Sequence, residues 1–315
     1  MAATGHRAHA RAGRIVVAVR GGLLALAAGA CAARRPFDAR RAAKAVPFEA
    51  GAVEWPVRVV RGVVLVPTMI DGHGPFTFAL DTGSTTIVVS ESTADAAGLA
   101  VERRNGSIVT EAGRTDGTVV QAAIRELRVG QARFGRVAAL VADLDGLSKG
   151  IGRPLDGILG MPVLTQHLWT FDPDRVVLLL EEGALPPPDG AEILPLVLDD
   201  GLPALHIDVA GRPVTAIVDT GQRMALSLSL DDTALLRGSL RVIGDSVGQV
   251  LDGEVRRDVA RLDGDVRIGP IVLRAPPVLL GRASRLGMTA FQGRTLTFDL
   301  ANGRLRVAAP GGAPR

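Results

Sequence analysis

Residues 76–89 read FTFALDTGSTTIVV, and residues 214–228 read VTAIVDTGQRMALSL. In each stretch an apolar, β-branched run ends in Asp-Thr-Gly: Asp81, Thr82 and Gly83 in the first, Asp219, Thr220 and Gly221 in the second. A further apolar run follows both. Val, Ile, Thr and Phe suit strands, and Asp with Gly suits the turn between them. An ordinary solvated turn has no reason to follow two apolar residues in both copies. The recurrence in one setting marks a functional pair of loops rather than two unrelated turns.

Working outward, the repeat extends in both directions. Gly72 and Gly211 open the two copies. Downstream of the first, Ile158, Leu159, Gly160 and Met161 precede Phe171 and Asp172. Downstream of the second, Arg285, Leu286, Gly287 and Met288 precede Phe298 and Asp299. Between the copies, residues 183–190 (GALPPPDG) carry Pro186, Pro187 and Pro188, which cannot continue a sheet ladder and so form the linker. Elsewhere past residue 55, short runs such as 63–66 and 176–180 alternate with Gly, Asp, Asn and Pro. Helical periodicity is confined to 91–98 and 231–237, where Asp231 and Asp232 read as a helix start. The expectation is an all-β, bilobal chain with two β-barrel-like lobes, 56–185 and 191–309, and a cleft between them.

Composition narrows the classes of function. Of 315 residues, 47% are hydrophobic and 22% charged, enough apolar material to exclude disorder as the main state. A single cysteine, Cys31, excludes a disulfide framework and a closed Cys-rich zinc site. The formal charge is +3, yet residues 1–50 hold nine basic and two acidic side chains. That leaves 27 basic against 31 acidic residues in 51–315, a mildly acidic body that does not attract phosphate backbones. With no Tyr and 3% aromatics, base-stacking platforms are also excluded, and no nucleic-acid partner is expected. His6, His9, His73, His167 and His206 are scattered without ligand spacing, so no metal and no cofactor are expected.

The N-terminus reads as an address. Arg7, Arg11, Arg14 and Arg20 precede the small apolar run 21–30, GGLLALAAGA, which gives a signal peptide over 1–30. Cys31 follows directly, in the position of a lipidated cysteine, although Ala28 stands where such boxes usually carry Leu. Export to the periplasm with a lipid anchor at Cys31 is the expectation, with 31–55 as a tether.

The paired loops resemble those of the aspartic proteases, of the retropepsin-like and pepsin-like kind, over about residues 57–307. Ile158, Leu159 and Gly160 match the apolar-apolar-Gly segment that supports each loop in that family. Leu286 and Gly287 match it in part, because Arg285 replaces an apolar residue. The resemblance implies an aspartic endopeptidase with Asp81 and Asp219 as catalytic residues and no cofactor. It implies that Thr82 and Thr220 cross-bond the lobes and that Gly83 and Gly221 allow close approach and donate amides to the carboxylates. It also implies that Ser84 orients Asp81, while Gln222 in the equivalent place forgoes that bond. Two carboxyls so close share a proton, and the pair can activate water against a carbonyl without a covalent intermediate. A peptide or protein substrate would lie extended under hairpin flaps, for which Ile108–Gly117 and Val247–Glu254 are the candidates. A monomer is expected, since one chain supplies both loops; a homodimer would complete the site if only one loop works. The absent Tyr, Gln222 and Arg285 motivate an alternative, an inactive peptide-binding or scaffold protein of the same fold.

Overall fold

Apolar runs bounded by turns become strands throughout residues 52–309. This computed structural model describes that span, together with the short strands Ile15–Ala18, Leu26–Ala28 and Lys44–Val46. Ala30 and Cys31, where processing and lipidation are expected, lie outside the described residues. Strands dominate, and the longest helix among the described residues, Asp145–Ile151, has seven residues, so the fold class is all-β. The two expected short helices form as Glu91–Ala96 and Leu230–Leu235. Each starts at a serine, Ser90 or Ser229, whose hydroxyl accepts an amide three residues on.

One strand order occurs twice. In the first half, Val63–Ile70 and His73–Leu80 form a hairpin. Gly157–Leu159 then runs parallel to His73–Leu80 and antiparallel to Ile87–Ser90. In the second half, Leu202–Val209 and Arg212–Asp219 form the hairpin. Arg285–Gly287 runs parallel to Arg212–Asp219 and antiparallel to Leu226–Leu228. Ala132–Ala142 extends the first arrangement in parallel beside Ile87–Ser90, as Pro277–Leu280 does the second beside Leu226–Leu228. Ile87–Ser90 is buried throughout, which is why Ile87, Val88 and Val89 form a continuous apolar run with no polar alternation.

A six-stranded sheet joins the halves. At its centre Leu168–Asp172 pairs with Thr295–Asp299, and the hydroxyls of Thr170 and Thr297 meet at 2.8 Å. The repeated Phe-Asp pairs therefore end equivalent strands of one sheet. Ala52–Pro56, the end of the segment read as a tether, is an edge strand here, paired with Val177–Glu181. The cause is Trp55: its ring covers Gly130 so closely that a Cβ there would come within 2.1 Å of it. The linker is also tied down, since the Leu185 amide donates to Asp299 at 2.9 Å.

Candidate active site

The parallel strand in each half fixes the loop that follows its neighbour. The Asp81 amide donates to the Leu159 carbonyl at 3.0 Å, and Asp219 stands in register opposite Gly287. The supporting glycines are required by space. A Cβ on Gly160 would lie 2.0 Å from the Thr86 carbonyl oxygen, and one on Gly287 would lie 2.3 Å from that of Met224. The next residues complete the brace: Met161 N–H donates to Ser84 O at 2.9 Å, and Met288 N–H donates to Gln222 O at 3.0 Å.

The two loops interlock across the halves. The Thr82 hydroxyl donates to the Val218 carbonyl at 2.6 Å and accepts the Thr220 amide at 3.1 Å. The Thr220 hydroxyl donates to the Leu80 carbonyl at 2.8 Å and accepts the Thr82 amide at 3.0 Å. All of this is buried. Gly83 N–H donates to Asp81 Oδ1, and Gly221 N–H to Asp219 Oδ1, both at 2.9 Å. The backbone of Gly83 presses on the other carboxyl, because a Cβ there would lie 2.6 Å from Asp219 Cγ.

Two side chains act differently from the expectation. The Ser84 hydroxyl does not bond Asp81; it donates to the Thr86 carbonyl at 2.8 Å, because the loop turns back and presents that acceptor first. Gln222 in turn is not a lost bond. Its amide nitrogen donates to the Met224 carbonyl at 3.1 Å, and its oxygen accepts the Ser227 hydroxyl at 3.2 Å, so it ties the second loop to its own strand. Asp156 ties the loop before Gly157–Leu159 to the strand His73–Leu80: its carboxylate accepts the Thr77 amide at 2.6 Å.

Burial governs the electrostatics. Asp81 and Asp219 are 0% and 1% exposed. Burial raises the Asp81 carboxyl well above its ordinary pKa, and the neighbouring Asp219 charge raises it further. Burial raises Asp219 as well, but the Arg285 charge pulls the other way. Two such carboxyls hold one proton between them, and a water at the pair can be deprotonated by one while the other protonates an oxygen.

The sequence marked Arg285 only as a departure from the family pattern, and Glu111 and Arg257 went unread. Arg285 is fully buried, and its Nη1 donates to Asp219 Oδ2 at 2.8 Å. Its Nε lies 3.7 Å from Oε1 of Glu111, and Arg257 Nη1 lies 3.7 Å from Oε2 of the same carboxylate. The signal for Arg285 was present. A cation inside an apolar strand requires a buried anion, and the adjacent loop carries one. A buried ion pair is no more stabilising than well-packed apolar residues, so its presence points to the site rather than to the core.

Glu111 arrives on a hairpin. Val101–Thr110 and Gly113–Val129 pair around a two-residue tip, as do Leu240–Val250 and Gly253–Leu262. Both turns close on a glycine at positive φ, Gly113 and Gly253. These tips fall inside the two segments expected as flaps. They meet: Asp252 accepts the Thr110 hydroxyl at 2.7 Å and the Thr115 hydroxyl at 3.0 Å. Glu111 Oε2 accepts the Arg282 amide of the second half at 2.9 Å. The second hairpin rests on the first-half helix Asp145–Ile151, where a Cβ on Gly150 would come within 3.1 Å of Gln249.

No curated protein matches the chain. Residues 66–163, which hold Asp81, Glu111 and the support strand Gly157–Leu159 of the first half, match the family described as aspartyl protease.

Proposed function

We propose that this chain is an aspartic endopeptidase that hydrolyses peptide bonds with a water activated between Asp81 and Asp219. One observation carries the reading: two buried carboxyls stand on loops that are cross-bonded through Thr82 and Thr220 and backed by equivalent glycine supports. The aspartyl protease match over 66–163 supports it for the first half. The substrate would be a peptide held extended beneath the meeting hairpins, pairing with their backbone as an added strand. Both loops come from one chain, so a monomer is sufficient.

The test is digestion of a diverse peptide mixture by the full chain from acidic to neutral pH, with products read by mass spectrometry. Cleavage by the wild type that falls at least about a thousandfold in both Asp81→Asn and Asp219→Asn is the expected outcome. Cleavage that survives either substitution overturns the assignment. Peptide binding by the folded wild type without any cleavage favours the inactive peptide-binding reading instead.

A further inference from the structure

The two halves of the site differ by one charge. In the first half, Ile158 stands on the support strand beside Ala79; in the second, the same place beside Ile217 is taken by Arg285. Ile158 and Arg285 are both fully buried. An apolar side chain would suffice for packing there, as Ile158 demonstrates. The guanidinium reaches only one carboxyl as a hydrogen-bond donor, that of Asp219.

We propose that Arg285 is a positioning residue that makes the pair asymmetric, holding Asp219 ionised so that the shared proton resides on Asp81. The inference rests on the function proposed above and assigns the role of each carboxyl within it. Both Asp219 oxygens accept hydrogen bonds, Oδ1 from Gly221 and Oδ2 from Arg285. That pattern suits a carboxylate. Asp81 accepts at Oδ1 from Gly83, while no N–H or hydroxyl donates to its buried Oδ2, and its carboxyl meets that of Asp219. That oxygen is the one open to carry a proton. The other charges facing Arg285 are Glu111 from the first hairpin and Arg257 from the second. Glu111 lies 3.7 Å from each arginine, beyond hydrogen-bond distance, so the direct contact of Arg285 is with Asp219. Burial and the Asp219 charge raise Asp81, whereas Arg285 opposes the rise of Asp219, in keeping with the geometry.

The roles then follow with all atoms balanced. Asp219 takes a proton from water as the water oxygen bonds to the scissile carbonyl carbon, and Asp81 gives its proton to the carbonyl oxygen. The product is a neutral diol. Asp219 next gives its proton to the nitrogen as the C–N bond breaks, and Asp81 recovers a proton from a diol hydroxyl. Acid and amine leave, and both carboxyls return to their starting states.

The experiment is carbon-13 NMR of the full chain labelled at the Asp carboxyl carbons. Asp81 and Asp219 are identified by the signals lost in Asp81→Asn and Asp219→Asn. At about pH 5 the wild type should give an ionised Asp219 and a protonated Asp81. In Arg285→Gln the lower titration step of the pair should rise by about one pH unit or more, and Arg285→Lys should restore most of the shift. Glu111→Gln, which removes an opposing anion, should move the step down. A wild-type proton on Asp219 overturns the proposal, as does a folded Arg285→Gln whose steps stay in place. If Arg285→Gln does not fold, the wild-type site of the proton and the step in Glu111→Gln still decide, and a Glu111→Gln step that does not move down overturns the proposal. The signals are read without turnover, so failure to cleave peptides counts against the proposed function alone. Where cleavage occurs, the acid limb of kcat/KM must move with the NMR step, an effect that simple loss of packing would not produce.

Discussion

At the scale of single residues, the hydroxyls of Thr82 and Thr220 matter more than their methyl groups. Each hydroxyl donates across the halves and accepts an amide in return. Thr82→Val keeps the shape and leaves the Thr220 amide and the Val218 carbonyl buried without partners. Unmet buried groups cost roughly 1–3 kcal/mol each, so the loss for the two should be about 2–6 kcal/mol in urea denaturation. Thr82→Ser, which keeps the hydroxyl, should lose about 1 kcal/mol or less. A Thr82→Val protein within about 0.5 kcal/mol of wild type would show that the cross-bonds contribute no net stability. The same scale explains what could be read in advance. Asp81, Thr82 and Gly83 announce themselves because the same tripeptide recurs after an apolar run at Asp219, Thr220 and Gly221. Ser84 does not, since its hydroxyl can serve either Asp81 or the nearby Thr86 carbonyl, and only the path of the turn decides. Arg285 is a long-range case: its partner Asp219 is 66 residues away, and its other neighbour, Glu111, belongs to the opposite half.

At the scale of elements, the hairpins are legible as hairpins but not as partners. Gly113 and Gly253 mark the turns, while nothing local to Thr110 foretells that it meets Asp252. The contact makes a prediction of its own. Asp252 joins the two tips by accepting two hydroxyls, at about 1 kcal/mol for a typical bond and less for the exposed Thr115. Asp252→Ala should therefore open the tips roughly fivefold more often, an allowance of about 1 kcal/mol. Hydrogen exchange over residues 106–118 and 247–256 measures this directly, and unchanged protection in both segments would remove the latch from the account. Asp252→Asn, which retains an acceptor oxygen, should fall between the two.

At the scale of the whole molecule, the pair of carboxyls lies where two halves meet, and folding takes it out of water. A carboxyl raised by folding stays protonated in the native state at pH values where the unfolded chain has released its proton. Stability from such a group is complete below the unfolded value, near 3.8 for Asp, and declines as pH rises toward the raised native value. The slope reaches about 1.4 kcal/mol per pH unit for one proton. Asp81→Asn removes the group that is raised most and leaves Asp219 its guanidinium partner. Its melting curve should therefore be flatter with pH than that of the wild type, gaining about 1–2 kcal/mol on it between pH 5 and 7. Asp219→Asn should behave in the opposite way. It strands Arg285 as a buried cation beside Glu111 at 3.7 Å, a loss of about 3–5 kcal/mol that no pH in this range repairs. Thermal unfolding of the three proteins at pH 4, 5, 6 and 7 separates the cases. Parallel curves for wild type and Asp81→Asn would mean that Asp81 is ionised on folding, and an undamaged Asp219→Asn would mean that Arg285 draws its compensation from Glu111 alone.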